Sequence, residues 1–246
     1  MEDWIRRQLI ERQRPRGGLP LMFQHWVHLL FVHWSFAPES VQMTLPVGLQ
    51  VETFDGRAWI GIVPFFMLGV RPAGLPSIPR ISNFLELNLR TYVRDAKGRP
   101  GIWFYSLDAN LALSVCVARA SFALPYKFAH MDAKIAGGEI DYRSLRFGSK
   151  NSLCYRYLPT EKLGEAKPGT LEFFLVERYR LFACRKGEIL SGRVYHSPYR
   201  LRKVVVTDAD PKLFALNGFE TPTEPPEHAV YSDRVDVSVY PLEADL

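Results

Sequence analysis

The chain is poor in cysteine: Cys116, Cys154 and Cys184 are the only three in 246 residues. An odd total with no C-x-x-C pair argues against a disulfide framework and a zinc–thiolate site, and sets a reducing, cytoplasmic compartment as the expectation. Long apolar runs are missing as well. The most apolar window, residues 26–36, is broken by His28, His33 and Ser35 and falls short of the roughly 20 residues a membrane helix needs, so it reads as buried core and no membrane partner is expected. Residues 1–18 carry Glu2, Asp3, Arg6, Arg7, Glu11, Arg12, Arg14 and Arg16, with no apolar stretch of secretory type. The spacings G-x-G-x-x-G, P-loop, G-x-S-x-G, H-E-x-x-H and EF-hand are all absent. Nothing in the residues therefore supports a nucleotide, metal or other cofactor.

Charge of one sign is scarce too. Lys and Arg number 31 against 26 Asp and Glu, a formal net charge of +5, and the two signs alternate over most of the length. That balance does not predict a nucleic-acid partner. The densest basic stretch, residues 178–203, holds Arg178, Arg180, Arg185, Lys186, Arg193, Arg200 and Arg202 among apolar residues, and reads either as a solvated strand face or as an anion-binding patch.

What is present in quantity is apolar and aromatic surface, 47% and 13% of residues, enough to offset the entropy of ordering one large core. Residues 4–16 suit a short amphipathic helix ending at Pro15, so residues 1–20 read as a peripheral arm. Residues 49–54 and 57–70 are β-prone and joined by Asp55-Gly56, the pair that type I′ hairpins favour, which predicts a long hairpin. Residues 71–79, rich in proline, predict a surface loop near a pocket mouth. Residues 84–93 alternate with period two, leucines on one face and Glu86, Asn88, Arg90 and Tyr92 on the other, and pair with 102–107. Residues 110–121 predict a helix capped by Asp108 or Asn110. Beyond Met131, β-prone runs separated by Gly137-Gly138, Lys150-Asn151, Pro168-Gly169 and Lys186-Gly187 predict further antiparallel strands. No repeat and no linker interrupts the chain. The expected architecture is one mostly β domain over 1–246, an antiparallel β-barrel with a few peripheral α-helices and a ligand site in its interior.

Three constellations could carry chemistry. Glu86, Asn88, Arg90 and Tyr92 place a carboxylate, an amide, a guanidinium and a phenol along one strand face. Turned inward, Arg90 would bind a carboxylate and Glu86 would move a proton; turned outward, the face is ordinary solvated surface. Pro125 fixes a sharp exit that aims Tyr126 or Lys127, although Tyr126 would equally serve as a core anchor. His196, beside the bend at Pro198, and His33 are candidates for an acid, base or ligand, or are structural.

The motifs Trp26-x-x-Leu29-Leu30-Phe31-x-His33-Trp34, Glu86-Leu87-Asn88-x-Arg90-Thr91-Tyr92-Val93, Ser106-Leu107-Asp108-Ala109, Leu124-Pro125-Tyr126 and Glu177-Arg178-Tyr179, with Phe54-Asp55-Gly56-x-Ala58-Trp59-x-Gly61, together resemble the YqjF-like domain-of-unknown-function family. The resemblance covers about residues 26–201 and implies an acetoacetate decarboxylase-like fold with a polar interior site. In decarboxylases of that superfamily an arginine is followed six residues later by a proline and then by two lysines, the first of which forms the Schiff base with a keto acid. Arg119 and Pro125 keep that spacing here, but Tyr126 stands at the nucleophile's position and only Lys127 is a lysine. A phenol forms no imine, so iminium decarboxylation is not expected.

The sequence thus points to a small organic acid or carbonyl ligand. The expected binding groups are Arg90 and Arg119, with Asn88, Tyr92, Lys127 and His196 around them, and Glu86 and Tyr126 are the expected proton-transfer pair. Lyase, hydratase or isomerase chemistry is one reading and a non-catalytic binding or sensing module is the other; the residues are also compatible with a homo-oligomer.

Overall fold

The computed structural model describes residues 2–15, 17–79, 81–112 and 122–244. The described strands are β1 (Met22–Phe36), β2 (Leu49–Val51), β3 (Ala58–Pro72), β4 (Phe84–Asp95), β5 (Pro100–Ala109), β6 (Tyr126–Ala136), β7 (Glu139–Arg146), β8 (Leu153–Glu165), β9 (Arg180–Arg185), β10 (Glu188–His196), β11 (Arg200–Ala209) and β12 (His228–Ala244). They hydrogen-bond in the order β10-β9-β5-β6-β7-β8-β11-β12-β1-β3-β4-β2, with β10–β12 and β4–β5 as additional pairings. Those two pairings close the sheet on itself twice. One ring passes through β1, β3, β4, β5, β9, β10 and β12, and a second through β5, β6, β7, β8, β11, β12, β1, β3 and β4. Pairing is antiparallel except where β5 meets β6 and β9 in parallel, which modifies the purely antiparallel expectation. A parallel neighbour needs a connection of a dozen or more residues, and the segment from 110 to 125 supplies that length between β5 and β6.

The wall shared by the rings is buried on both sides. Leu29, Phe31, Val63 and Phe65 belong to one core, and Leu30, Val32, Ile60 and Ile62 to the other. β4 follows the same rule: Leu85, Leu87 and Leu89 enter the second core while Glu86, Asn88 and Arg90 point into the first ring. Small irregularities set which residue faces which core. His28 takes φ 55 within β1, where the register to β3 shifts, so that Trp26 and Leu29, of opposite parity, both meet the first core. Gly69 (φ 60) does the same in β3, letting Met67 and Val70 share a side. A side chain at Gly69 would also sit 2.8 Å from His25 Cδ2.

The Asp55-Gly56 turn forms with both residues at positive φ, yet only Phe54 and Arg57 bridge across it. The long hairpin is not made. Both edges of β3 are already taken, by β1 and by β4, so β2 pairs instead with the far end of β4, Leu49 opposite Asp95. The β4–β5 hairpin forms as expected.

Three α-helices are described, α1 (Asp3–Glu11), α2 (Pro38–Gln42) and α3 (Leu171–Val176), with two short 3-10 turns at Pro211–Leu213 and Ala215–Asn217. The third helix follows Pro168-Gly169, where a strand was expected. Its N-cap Thr170 accepts a bond from the Phe173 amide, and Phe173, Phe174, Leu175 and Val176 are buried in the first core. The N-terminal arm is docked rather than loose: Gln8 Nε2 donates to the Phe173 and Glu177 carbonyls at 2.6 and 2.8 Å. Most of the helix expected over 110–121 lies outside the described residues. Asp108 is a strand residue, not a cap, and Asn110 Oδ1 accepts from the Leu85 amide. No helix among the described residues is long and apolar enough to cross a membrane.

Candidate active site

The first ring encloses a cavity of about 470 Å³. One wall is β4, whose even-numbered side chains Glu86, Asn88 and Arg90 line it at 3%, 4% and 6% exposure. Period two along β4 put these three on one face, and closure of the ring turned that face inward. Tyr126 enters from the start of β6, aligned beside Leu107 of β5. Pro125 at the bend directs it, with the Tyr126 amide bonded to the Leu124 carbonyl at 2.8 Å. The Tyr126 hydroxyl then donates to Glu86 Oε2 at 2.8 Å. Two residues far apart in sequence thus form one polar unit.

Burial sets the electrostatics of that unit. Loss of water pushes the Glu86 carboxyl up to about 7, against the opposing hydrogen bonds from Tyr126 and Asn88. The Tyr126 phenol is pushed well above its ordinary value by burial and by the Glu86 charge, so the shared proton stays on tyrosine. A carboxyl that changes charge near neutrality can accept or return a proton at physiological pH.

Three guanidinium groups reach the cavity, and they differ. Arg178 is ion-paired with Glu52 and donates Nε to the Phe174 carbonyl at 2.6 Å. Arg180 bonds Glu11 through Nε and Nη2, each at 3.2 Å, and Ser191 Oγ at 2.9 Å. Arg90 has no carboxylate partner among the described residues. It donates Nη2 to the Leu175 carbonyl at 3.3 Å and lies 5.3 Å from the Phe31 ring centroid, while its Nε and Asn88 Oδ1 are buried without a hydrogen-bond partner. The basic stretch beginning at Arg178 is therefore not simply a solvated face: its first two arginines are buried in ion pairs.

Other expected site residues are placed elsewhere. Lys127 is exposed, on the opposite side of β6 from Tyr126, because successive strand residues alternate. Tyr92 shares the parity of Arg90 but does not line the cavity; its hydroxyl bonds His33 Nε2 at 2.7 Å and its ring packs 5.6 Å from that of Phe174 on α3. His196 is a core residue, its Nδ1 on the Ser197 carbonyl at 2.7 Å and its ring stacked 4.5 Å from Tyr179, and burial lowers its pKa to about 4. His33 is likewise buried, with Nδ1 at 2.9 Å from His228 Nδ1. Arg119 lies outside the described residues. Among the described residues no three His, Cys, Asp or Glu side chains gather as metal ligands would.

The loop after β3 does reach the pocket mouth, through Leu75, Pro76 and Ile78. The roles of Arg178 and Arg180 in the wall were missed. Their basic run was visible, but the acids that bury them, Glu52 and Glu11, come from distant segments.

Comparison with known proteins adds relatives. The chain is 35% identical over 227 residues to "Uncharacterized protein YqjF" of Bacillus subtilis (strain 168), covering 92% of this chain and 93% of that protein. The solved structure of the enduracididine biosynthesis enzyme MppR, complexed with the condensation product of pyruvate and imidazole 4-carboxaldehyde, matches with a TM-score of 0.64 at 14% identity, over 93% of this chain and 90% of that one. Acetoacetate decarboxylase from Legionella pneumophila matches with a TM-score of 0.63 at 11% identity, over 95% and 92% of the two chains. At such identities the solved structures speak for the fold, which is acetoacetate decarboxylase-like. A family model for uncharacterized conserved proteins covers residues 23–236, and on that match together with the YqjF relationship the chain belongs to the DUF2071 family.

Proposed function

We propose that the cavity accepts an organic acid or carbonyl compound, that Arg90 holds its anionic end, and that Glu86 with Tyr126 moves a proton on it without a cofactor. The hydrogen bond from Tyr126 to Glu86 inside a cavity that also presents Arg90 carries this reading. Tyr126 donates to Glu86 Oε2 and so orients a carboxylate that lines the cavity, where it can meet a substrate proton. Burial holds the group near its midpoint at neutral pH, where a general base is most effective. Removing a proton from carbon beside a carbonyl, and returning it at another atom, is the step shared by isomerases, hydratases and lyases. That MppR has been solved with pyruvate supports a keto acid as the first class to try. An imine route is not proposed, since Tyr126 offers no amine and Lys127 faces away. The unpaired thiols of Cys154 and Cys184 support a reducing, cytoplasmic setting.

The test is hydrogen–deuterium exchange at carbon, followed by NMR, over a panel of keto acids in D2O. Exchange of the proton beside the carbonyl is expected for at least one member, and Glu86→Gln should lower that rate by about 10²–10⁴-fold while the acid still binds. Borohydride treatment in parallel should leave no mass adduct. Exchange that survives Glu86→Gln, or an adduct on lysine, contradicts the reading. Binding without exchange of any member would make the protein a binding or sensing module.

A further inference from the structure

The cavity is larger and more apolar than a short keto acid requires. Its volume of about 470 Å³ falls in the roughly 300–1,000 Å³ range of sites that hold drug-sized ligands, and a three-carbon acid would fill well under half of it. Polar groups are concentrated on the β4 wall and its arginine neighbours, while Trp26, Val63, Phe65 and Leu107 are among the apolar residues that line the rest. At the mouth, Leu75, Ile78 and Ile81 line the cavity while 57%, 54% and 39% exposed. These side chains keep apolar surface in water beside an apolar interior, and a short charged ligand would cover none of it.

Depth along β4 gives the ligand a direction. Arg90 lies against α3, Glu86 lies four residues nearer the start of β4, and Phe84 leads back to the exposed segment that carries Ile78 and Ile81. Four residues of strand separate the Arg90 and Glu86 Cα atoms by about 13 Å, a span that suits a molecule longer than a three-carbon acid. The charge requirement is single. Arg178 and Arg180 are already paired with Glu52 and Glu11, whereas Arg90 has no such partner among the described residues and keeps a buried, unbonded Nε, as Asn88 on the same strand face keeps an unbonded Oδ1.

We infer that the site takes an amphipathic monocarboxylate, its carboxylate at Arg90 and an apolar chain or ring system of about eight to twelve carbons running past Glu86 to the rim at Ile78 and Ile81. The inference rests on the proposed function for the carboxylate end and goes beyond it in the size and character of the rest.

Calorimetry tests it with straight-chain monocarboxylates of four to twelve carbons and the matching alcohols, below their micelle concentrations. Kd should fall about fourfold per added methylene, levelling near ten carbons, with each acid bound at least tenfold tighter than its alcohol. Arg90→Gln should abolish the acid–alcohol difference and keep the length dependence. Arg90→Lys, which retains the charge, should retain the difference and so separates lost charge from misfolding. Ile78→Ser combined with Ile81→Ser should flatten the slope for the longest chains, and Val63→Trp, by filling the interior, should weaken every acid. A Kd that does not change with length, or is lowest for the four-carbon acid, overturns the inference. If Arg90 still governs the acid–alcohol difference in that case, the proposed function stands without it. Length dependence with no acid–alcohol difference in the unmodified protein would overturn the carboxylate assignment beneath both.

Discussion

At the residue scale, Glu86 couples function to stability. Its folded pKa of about 7 lies above the ordinary 4.5, so the protonated carboxyl is favoured in the fold. Its contribution is full below pH 4.5 and lost as pH rises through about 7. Glu86→Gln removes that dependence, and urea unfolding should find the variant about 3 kcal/mol more stable than the parent at pH 8, relative to their difference at pH 4. Tyr126→Phe deletes a hydrogen bond that holds the Glu86 pKa down, so the midpoint of the pH–rate profile should move upward; an unchanged midpoint would separate the two groups. Period two in β4 was enough to put Glu86, Asn88 and Arg90 on one face, the one that lines the cavity. It misplaced Tyr92, because the helix that brings Phe174 against that ring follows a Pro-Gly pair read as a break between strands.

At the element scale, the interior is shaped by local exceptions to alternation. Gly69 lets β3 change face at the cavity mouth, and its amide bonds Asn83 Oδ1 at 2.8 Å. Gly69→Ala meets both a left-handed backbone cost of about 1–2 kcal/mol and the His25 ring. A lowered urea midpoint together with weaker ligand binding is expected. The α1 arm is a second such element: Gln8→Ala removes both bonds to the α3 end and should cost about 1–3 kcal/mol, checked by the same unfolding assay. The sequence showed the helix but not its docking, because the acceptors are backbone carbonyls more than 160 residues away. The Asp55-Gly56 turn was legible as a turn; which strands it would join was not, since that depends on which edges of β3 other strands already occupy.

For the whole molecule, two rings share a wall, and only the first encloses the cavity described above. In the second, Arg146 clamps Asp108 through Nε and Nη2 and also reaches Ser106 Oγ at 2.8 Å. The Ser106–Asp108 motif that helped mark the family is thus explained by a buried ion pair away from the cavity. Arg146→Met would leave Asp108 buried and unpaired and should destabilise by about 3–5 kcal/mol, whereas in the folded fraction the acid–alcohol preference set by Arg90 should be unaltered. Mostly β character and interior polarity could be read from alternation and turn residues; a double closure could not, because it depends on the two additional pairings β10–β12 and β4–β5. The proposed chemistry requires Glu86 to lie in a water-poor chamber beside Tyr126. NMR titration of the Glu86 carboxyl carbon measures this directly: a midpoint near 7 that moves higher in Tyr126→Phe is expected, and a midpoint near 4.5 that ignores Tyr126 would contradict it.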